Sequence, residues 1–199
     1  MIRNLQLPLR IDTRALELYN IFATNIIPGD FPDRYEFIYE GFRQSLRSKQ
    51  CNEPYEKMIS ACLCVVNVET KHGWDGVDKL RDPTEVYEYK SSSKNPASPS
   101  GTINDDSVAK IEKCERLIRE GKIGWMILAG ANKQTCTLDC IYKFPLHIYS
   151  EHRRECLAAL IGKNQRKDTH TRSTYRMDVK SSIKLCENFE QEYYVWKRD

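Results

Sequence analysis

The chain of 199 residues carries 31 lysines and arginines against 28 aspartates and glutamates, a formal net charge of +3 that is too small by itself to argue for a polyanionic partner. With 40% hydrophobic and 30% charged residues it can bury one good core, and it is too short for two domains of ordinary size. It holds no apolar run near the eighteen or so residues that span a bilayer, so a membrane-embedded or wholly disordered chain is excluded.

Met1 to Pro8 lacks the continuous apolar stretch and small-residue cleavage site of a secretory leader. Eight cysteines in a chain this long read as reduced thiols rather than as staples. Both features predict an intracellular, cytoplasmic protein that is not secreted.

Leu16, Tyr19, Phe22, Ala23 and Ile26, spaced by threes and fours after a cap at Asp12, predict a helix over 13–27. A second helical pattern runs through Tyr35, Ile38, Tyr39, Phe42 and Leu46. A third runs through Tyr55, Met58, Ile59, Cys62, Leu63 and Val66, opened by Pro54. The period then changes. Trp74 to Ser91 reads as two short strands around Asp82-Pro83, a dipeptide that favours a turn, and Ser91 to Gly101 reads as an exposed Ser/Pro loop.

A helix over 105–120 ends at Gly121, and Ile123 to Ala129 is a buried strand. A strand near 138–142 and a short helix over 151–161 complete an alternating α/β order. Lys163 to Lys184 then carries Lys163, Arg166, Lys167, Arg172, Arg176, Lys180 and Lys184 against Asp168 and Asp178, a net +5. Its alternation, with Tyr175, Met177 and Val179 on one side, predicts a half-buried strand with a cationic face. Phe189, Tyr193 and Trp196 predict a closing helix.

The chemistry concentrates in Gly76-Val77-Asp78 and Glu88-Tyr89-Lys90. A tight turn about Pro83 sets Asp78 opposite Glu88 and Leu80 opposite Val86, with Cβ atoms about 5 Å apart. Alternation puts Lys90 on the same face. Two carboxylates that close repel, and a hard divalent cation between them relieves the repulsion. Oxygen ligands with an ammonium beside them suit Mg²⁺ as a cofactor, completed by water and a substrate phosphate. Lys90 would orient or deprotonate the attacking water. An ordinary cross-strand charge cluster is the plain alternative, since Glu-x-Lys also occurs at Glu69-Thr70-Lys71. Asp75 is the alternate metal ligand. In an unbroken strand it points away from Glu88, and a bulge at Gly76 would bring it in.

The order of helix, hairpin with Gly-x-Asp, strand with Glu-x-Lys, helix and strand resembles the PD-(D/E)XK nuclease superfamily, above all its type II restriction endonucleases. The resemblance covers residues 53–130, with Val77 where the usual motif has proline. It implies a single α/β nuclease domain over 1–199, with a mixed β-sheet core flanked by helices in the restriction-endonuclease-like manner. It also implies a homodimer and Mg²⁺-dependent cleavage of double-stranded DNA that leaves 5′-phosphates. Members often add a Glu from the helix before the hairpin, which points to Glu56, at the edge of the apolar face, ahead of Glu53. Asp75 lies at a distance from Glu88 that also occurs in the superfamily.

Given a nuclease centre, the segment 163–184 becomes the surface that neutralises DNA phosphates, through Lys163, Arg166, Lys167, Arg172, Arg176 and Lys180, with Lys94 in the loop after Lys90. Two other readings stand beside this one. The first is a nuclease of the same superfamily directed at branched or damaged DNA. The second is a non-catalytic DNA-binding module with zinc held by Cys136, Cys140, His147 and His152.

Overall fold

A computed structural model describes residues 4–17, 53–68, 74–93, 95–103, 107–135, 137–152, 154 and 175–198. Pro54, whose missing N–H costs nothing in a first turn, and the acidic Glu53 and Glu56 at the positive end of the helix start α1, Glu53–Cys62. Its Tyr55, Met58, Ile59 and Cys62 are fully buried, at the spacing that puts them on one stripe. The chain turns at Cys64 with φ +55° and enters β2, Val66–Asn67, so Val66 belongs to a strand and not to the preceding helix.

The hairpin of β3, Gly76–Val77, and β4, Glu85–Ser92, follows. Next come β5, Ser100–Ile103, and α2, Ser107–Arg119. Gly121, with φ +66°, ends α2 in the left-handed conformation that glycine adopts without strain. The long strands β6, Ile123–Asn132, and β7, Thr137–Pro145, lead to a helix described over 147–152. Beyond it lie β8, Tyr175–Asp178, α3, Val179–Asn188, and β9, Tyr193–Lys197. A three-residue strand, β1, Gln6–Pro8, precedes them all.

Seven of these strands form one mixed sheet in the order β1-β9-β7-β6-β4-β3-β2, and β5 pairs with β8 separately. Strand β4 runs parallel to β6, which requires a crossover, and α2 supplies it. On one face Tyr87, Tyr89, Ile127, Ala129 and Ile141 pack with the buried stripe of α1. On the other, Val86, Met126, Leu128 and Phe144 pack with Cys114 and Leu117 of α2 and with Leu185 and Cys186 of α3. The architecture is the expected α/β one, a mixed sheet flanked by helices in a single domain.

Two expected elements differ. The closing helix is strand β9, hydrogen-bonded between β7 and the parallel β1. Its Tyr-Tyr-Val-Trp run is a strand-forming sequence, and the spacing of Phe189, Tyr193 and Trp196 spans a helix end, a turn and a strand. The cationic strand over 163–184 stops at Asp178. There the carboxylate accepts from Ser181 N at 2.7 Å and caps α3, so Lys180 and Lys184 lie exposed on a helix. The helix expected over 13–27 is present for 13–17. The rest of it, the pattern over 35–46 and most of 151–174 lie outside the described residues. Among the described residues Cys62, Cys64, Cys114, Cys140 and Cys186 are free thiols, and no helix is long and apolar enough to cross a membrane.

Two contacts fix the hairpin strand in place. At its base, Glu85 Oε2 accepts from Tyr87 Oη at 2.6 Å and from Trp125 Nε1 at 2.9 Å, and Lys143 Nζ stands 3.7 Å from the same oxygen and 4.1 Å from the Trp125 ring centre. Burial lowers the Lys143 ammonium from its ordinary pKa and the Glu85 carboxylate opposes that fall. Further along, the buried Tyr89 hydroxyl pairs with Ser60 of α1 at 2.8 Å. To get there the phenol crosses Gly76, where a Cβ would fall on the Tyr89 hydroxyl. Gly76→Ala is therefore expected to break the Tyr89–Ser60 bond and cost about 1–3 kcal/mol, measured as a lower urea midpoint at unchanged slope.

Candidate active site

Register decides which acid meets Glu88. Val77 pairs with Val86 and Gly76 with Tyr87. Asp78 N continues the ladder, donating to Glu85 O at 3.1 Å, whereas Asp75 N donates to Tyr87 O at 2.9 Å, one residue out of that register, so that Asp75 and Gly76 both stand against Tyr87 as in a β-bulge. Asp75, with its carboxylate on Tyr89 N, is the acid beside Glu88. Asp78 lies three residues further down β4, about 10 Å away along the strand. The expected pairing of Asp78 with Glu88 and of Leu80 with Val86 is corrected. Val77 takes the place opposite Val86, and Leu80 is 73% exposed in the connecting loop.

The physical reason lies in Asp78 itself. Its carboxylate accepts from Thr84 N at 3.0 Å, Thr84 Oγ1 at 2.6 Å and Glu85 N at 3.1 Å. These bonds close a wide loop over 79–84, with Asp82 at φ +50°, in place of a tight turn at Pro83. The same hydrogen bonds, with that of the Thr84 side chain first, lower the Asp78 carboxyl to about 2. The register shift is an odd number of residues, so it also exchanges the faces. Asp75 joins Glu88 at the irregular end of the ladder beside Gly76, the expected place of a bulge.

Asp75 is held at nearly every polar atom. Its carbonyl accepts from Val68 N at 3.0 Å and from Asn67 Nδ2 at 3.2 Å, and its Oδ2 accepts from Tyr89 N at 2.6 Å. Strand β3 ends too early to offer Tyr89 a main-chain carbonyl, and the carboxylate stands in for it. Oδ1 has no hydrogen-bond partner among the described residues.

Beside it, Lys90 Nζ bonds Glu88 Oε1 at 2.7 Å and Tyr89 O at 3.0 Å, with both charged side chains largely shielded. Burial first, then the Glu88 charge, raises the Asp75 carboxyl above its ordinary value, while the Tyr89 hydrogen bond and the ammoniums of Lys90 and Lys113 pull it down. Half-buried Glu56, arriving from α1, is raised by burial and then by the charge of Asp75, against the pull of Lys90. Thus the structure brings Glu56, Asp75, Glu88 and Lys90 into one electrostatic group. Lys113 of α2 was not among the expected residues. Its Nζ lies 3.6 Å from the ring centre of Trp74. No short motif contains it, because α2 reaches the site only through the crossover.

Of the expected DNA-contacting residues, Lys180 is exposed on α3, and Arg176 lies in β8, its side chain outside the described residues. Lys94, Lys163, Arg166, Lys167 and Arg172 lie outside the described residues. The zinc arrangement gains nothing: Cys140 Sγ donates to Pro96 O at 3.0 Å, and burial pushes its thiol up to about 11. A buried thiol committed to a carbonyl is a poor thiolate ligand, and Cys136 lies outside the described residues. The chain matches no known protein family, no curated protein and no solved structure.

The donor set of the site is oxygen only, with Asp75 and Glu88 as paired carboxylates whose repulsion a hard cation would relieve. Among the described residues no three His, Cys, Asp or Glu side chains are grouped as a metal site. The protein can thus offer a cation two ligands, with Glu56 further out, and water and substrate must complete the shell, an arrangement that suits Mg²⁺.

Ionising Asp75 opposes folding because its carboxyl is raised in the folded chain. The opposition is present above the raised folded value and fades as pH falls through it. Asp75→Asn, whose amide oxygen still accepts from Tyr89 N–H, is expected to raise the melting temperature at pH 8 and to raise it less at pH 4 by calorimetry. A lower melting temperature at pH 8 would show that the carboxylate's hydrogen bond outweighs its repulsion.

Proposed function

We propose that this protein is a Mg²⁺-dependent endonuclease of the PD-(D/E)XK kind, hydrolysing phosphodiester bonds of double-stranded DNA in the manner of a type II restriction enzyme. The observation that carries the reading is the meeting of Asp75 and Glu88 across the β3–β4 hairpin, with Lys90 two residues on. This happens within a helix, hairpin, strand, helix, strand order whose last two strands are parallel.

Asp75 and Glu88 would hold the cation. Bound there, Mg²⁺ supplies Lewis-acid activation of water and offsets charge growing on the phosphoryl group. Asp75 is fixed by its hydrogen bonds before any substrate arrives, so its free oxygen needs no reorganisation. Lys90 now neutralises Glu88. With Glu88 engaged by a cation, Lys90 would be available to orient the attacking water or a non-bridging phosphate oxygen. Glu56, whose carboxyl is raised by burial and then by the charge of Asp75, would accept or return a proton through water.

Purified protein incubated with phage DNA, with and without Mg²⁺, followed by end sequencing, tests the reading. A Mg²⁺-dependent ladder with 5′-phosphate ends at a fixed sequence is expected. Cleavage confined to branched or damaged DNA would move the assignment to a structure-specific nuclease, and no cleavage of any DNA would overturn it.

In the same assay Asp75→Ala is expected to remove detectable cutting. Lys90→Ala should lower kcat by about 10²–10⁴-fold with DNA binding retained, whereas Asp78→Ala should keep cutting with a modest loss of stability. Loss of activity in Asp78→Ala with Asp75→Ala unaffected would reverse the assignment. Mg²⁺ at ten times its Kd adds about 1.4 kcal/mol, so it should raise the melting temperature of the unaltered protein by about 3–6 °C and leave that of Asp75→Ala in place.

A further inference from the structure

Tyr89 stands between Glu88 and Lys90 in β4, and alternation turns its side chain to the sheet face opposite theirs, the face that α1 covers. There it shares one buried core with Tyr55, Met58 and Ile59 of α1. Inside that core its hydroxyl pairs with that of Ser60 at 2.8 Å, both residues being 2% exposed. Ser60 follows Glu56 by four residues, so the two lie one turn apart on the same side of α1. The pair therefore ties the strand that carries Glu88 and Lys90 to the turn of helix that carries Glu56.

The same residue also holds Asp75. Its amide donates to Asp75 Oδ2 at 2.6 Å, so its main chain fixes an acid of the hairpin while its side chain fixes a helix. These groups lie within electrostatic reach of one another: burial raises the Tyr89 phenol, the Ser60 bond opposes the rise, and the charges of Asp75 and then Glu56 add to it. Gly76 leaves the phenol its path, since a Cβ there would fall on the hydroxyl. A phenylalanine would supply the same apolar ring to the core. What the hydroxyl adds is direction, because a hydrogen bond fixes the helix at one point along the strand, whereas apolar contact is non-directional.

Building on the nuclease reading, we propose that Tyr89 is a positioning residue of this site: through its hydroxyl bond to Ser60 it sets Glu56 at its working distance from Asp75 and Glu88. The Tyr89 side chain touches neither substrate nor cation and acts on the reaction through Glu56. The hold on Asp75 is separate, because any residue except proline supplies the amide.

The test measures cleavage of duplex DNA by the full chain in a cycle of variants. Tyr89→Phe keeps the ring and the amide. It is expected to lower kcat by about 10–100-fold with KM within about threefold of the parent, the effect of displacing a proton-transfer group by about 1 Å. Ser60→Ala should give the same loss. In a Glu56→Gln background, itself lowered about a hundredfold, neither change should lower kcat by more than about twofold again, because the group through which they act is gone. The rise in melting temperature on adding Mg²⁺ should persist in Tyr89→Phe, where Asp75 keeps its amide donor. Tyr89→Phe combined with Ser60→Ala removes both hydroxyls of the pair, so it should regain part of the urea midpoint lost by either change alone while kcat stays low.

Equal losses of kcat on Tyr89→Phe with and without Glu56→Gln, in a parent that cuts DNA, would overturn the assignment of Tyr89 and leave the nuclease reading standing. So would an unchanged kcat in Tyr89→Phe, a Glu56→Gln chain that cuts like the parent, or loss of the Mg²⁺ effect on melting in Tyr89→Phe. A kcat that recovers together with the urea midpoint in the double variant marks a purely structural role and would overturn it too. If the parent does not cut DNA, the nuclease reading falls and this assignment with it. Circular dichroism checks the fold of each variant, and if Tyr89→Phe is unfolded, Ser60→Ala carries the same comparison with Glu56→Gln.

Discussion

One hydrogen bond, from the Tyr89 amide to the Asp75 carboxylate, organises the candidate site. Strand β3 has two residues, and where its main chain leaves the sheet a side chain continues the ladder. A buried amide must find an acceptor, so the sheet itself demands an oxygen at this place. The carboxylate that supplies it is held next to Glu88 whether or not any ligand is present. The site is therefore built into the backbone pairing of the sheet and not appended to it. Its cost is visible in the Asp75 and Glu56 carboxyls, both raised first by burial and then by a neighbouring negative charge.

Such a corner can be approached from two sides, and the fold uses both. Helix α1 packs under one face of the sheet and brings Glu56 by its first turns, while α2, the crossover between the parallel β4 and β6, covers the other face and brings Lys113. The acidic group comes from the helix before the hairpin and the extra cation from the helix after it. Strand β4, between them, presents its acid and amine two residues apart. The charges thus lie in sequence order around one strand, which explains how so short a segment can gather them.

The strands that build the centre were legible in the sequence because their signals are local: the change of period after Val66, the Glu-x-Lys strand, the apolar IGWMILA run and the helix closed by Gly121. Glu56 was legible from its place at the edge of an apolar stripe. The partner of Glu88 was not. Asp75 and Asp78 differ in which one a particular loop length sets across the hairpin, and that length is decided by the bonds of the Asp78 carboxylate to Thr84 and Glu85. A sequence pattern shows that Asp-Pro favours a turn and does not show that an aspartate four residues earlier will widen it. The closing strand was missed for a related reason, since aromatic residues spaced by three and four satisfy a helical period even when a turn at Glu190, with φ +50°, separates them. Lys113 has no signature at all, because its nearness to Asp75 exists only after β4 and β6 have paired in parallel.

The anchoring of Glu85 has a mechanical consequence. Strand β4 is gripped at its root by donors from its own strand and from β6 and β7, and the candidate site lies towards its other end, beyond the two residues of β3. The strand is in effect a cantilever, clamped at one end and carrying the candidate site at the other. Substitutions that reshape the tip leave the clamp untouched, so the side chains there can change while the strand keeps its place in the sheet.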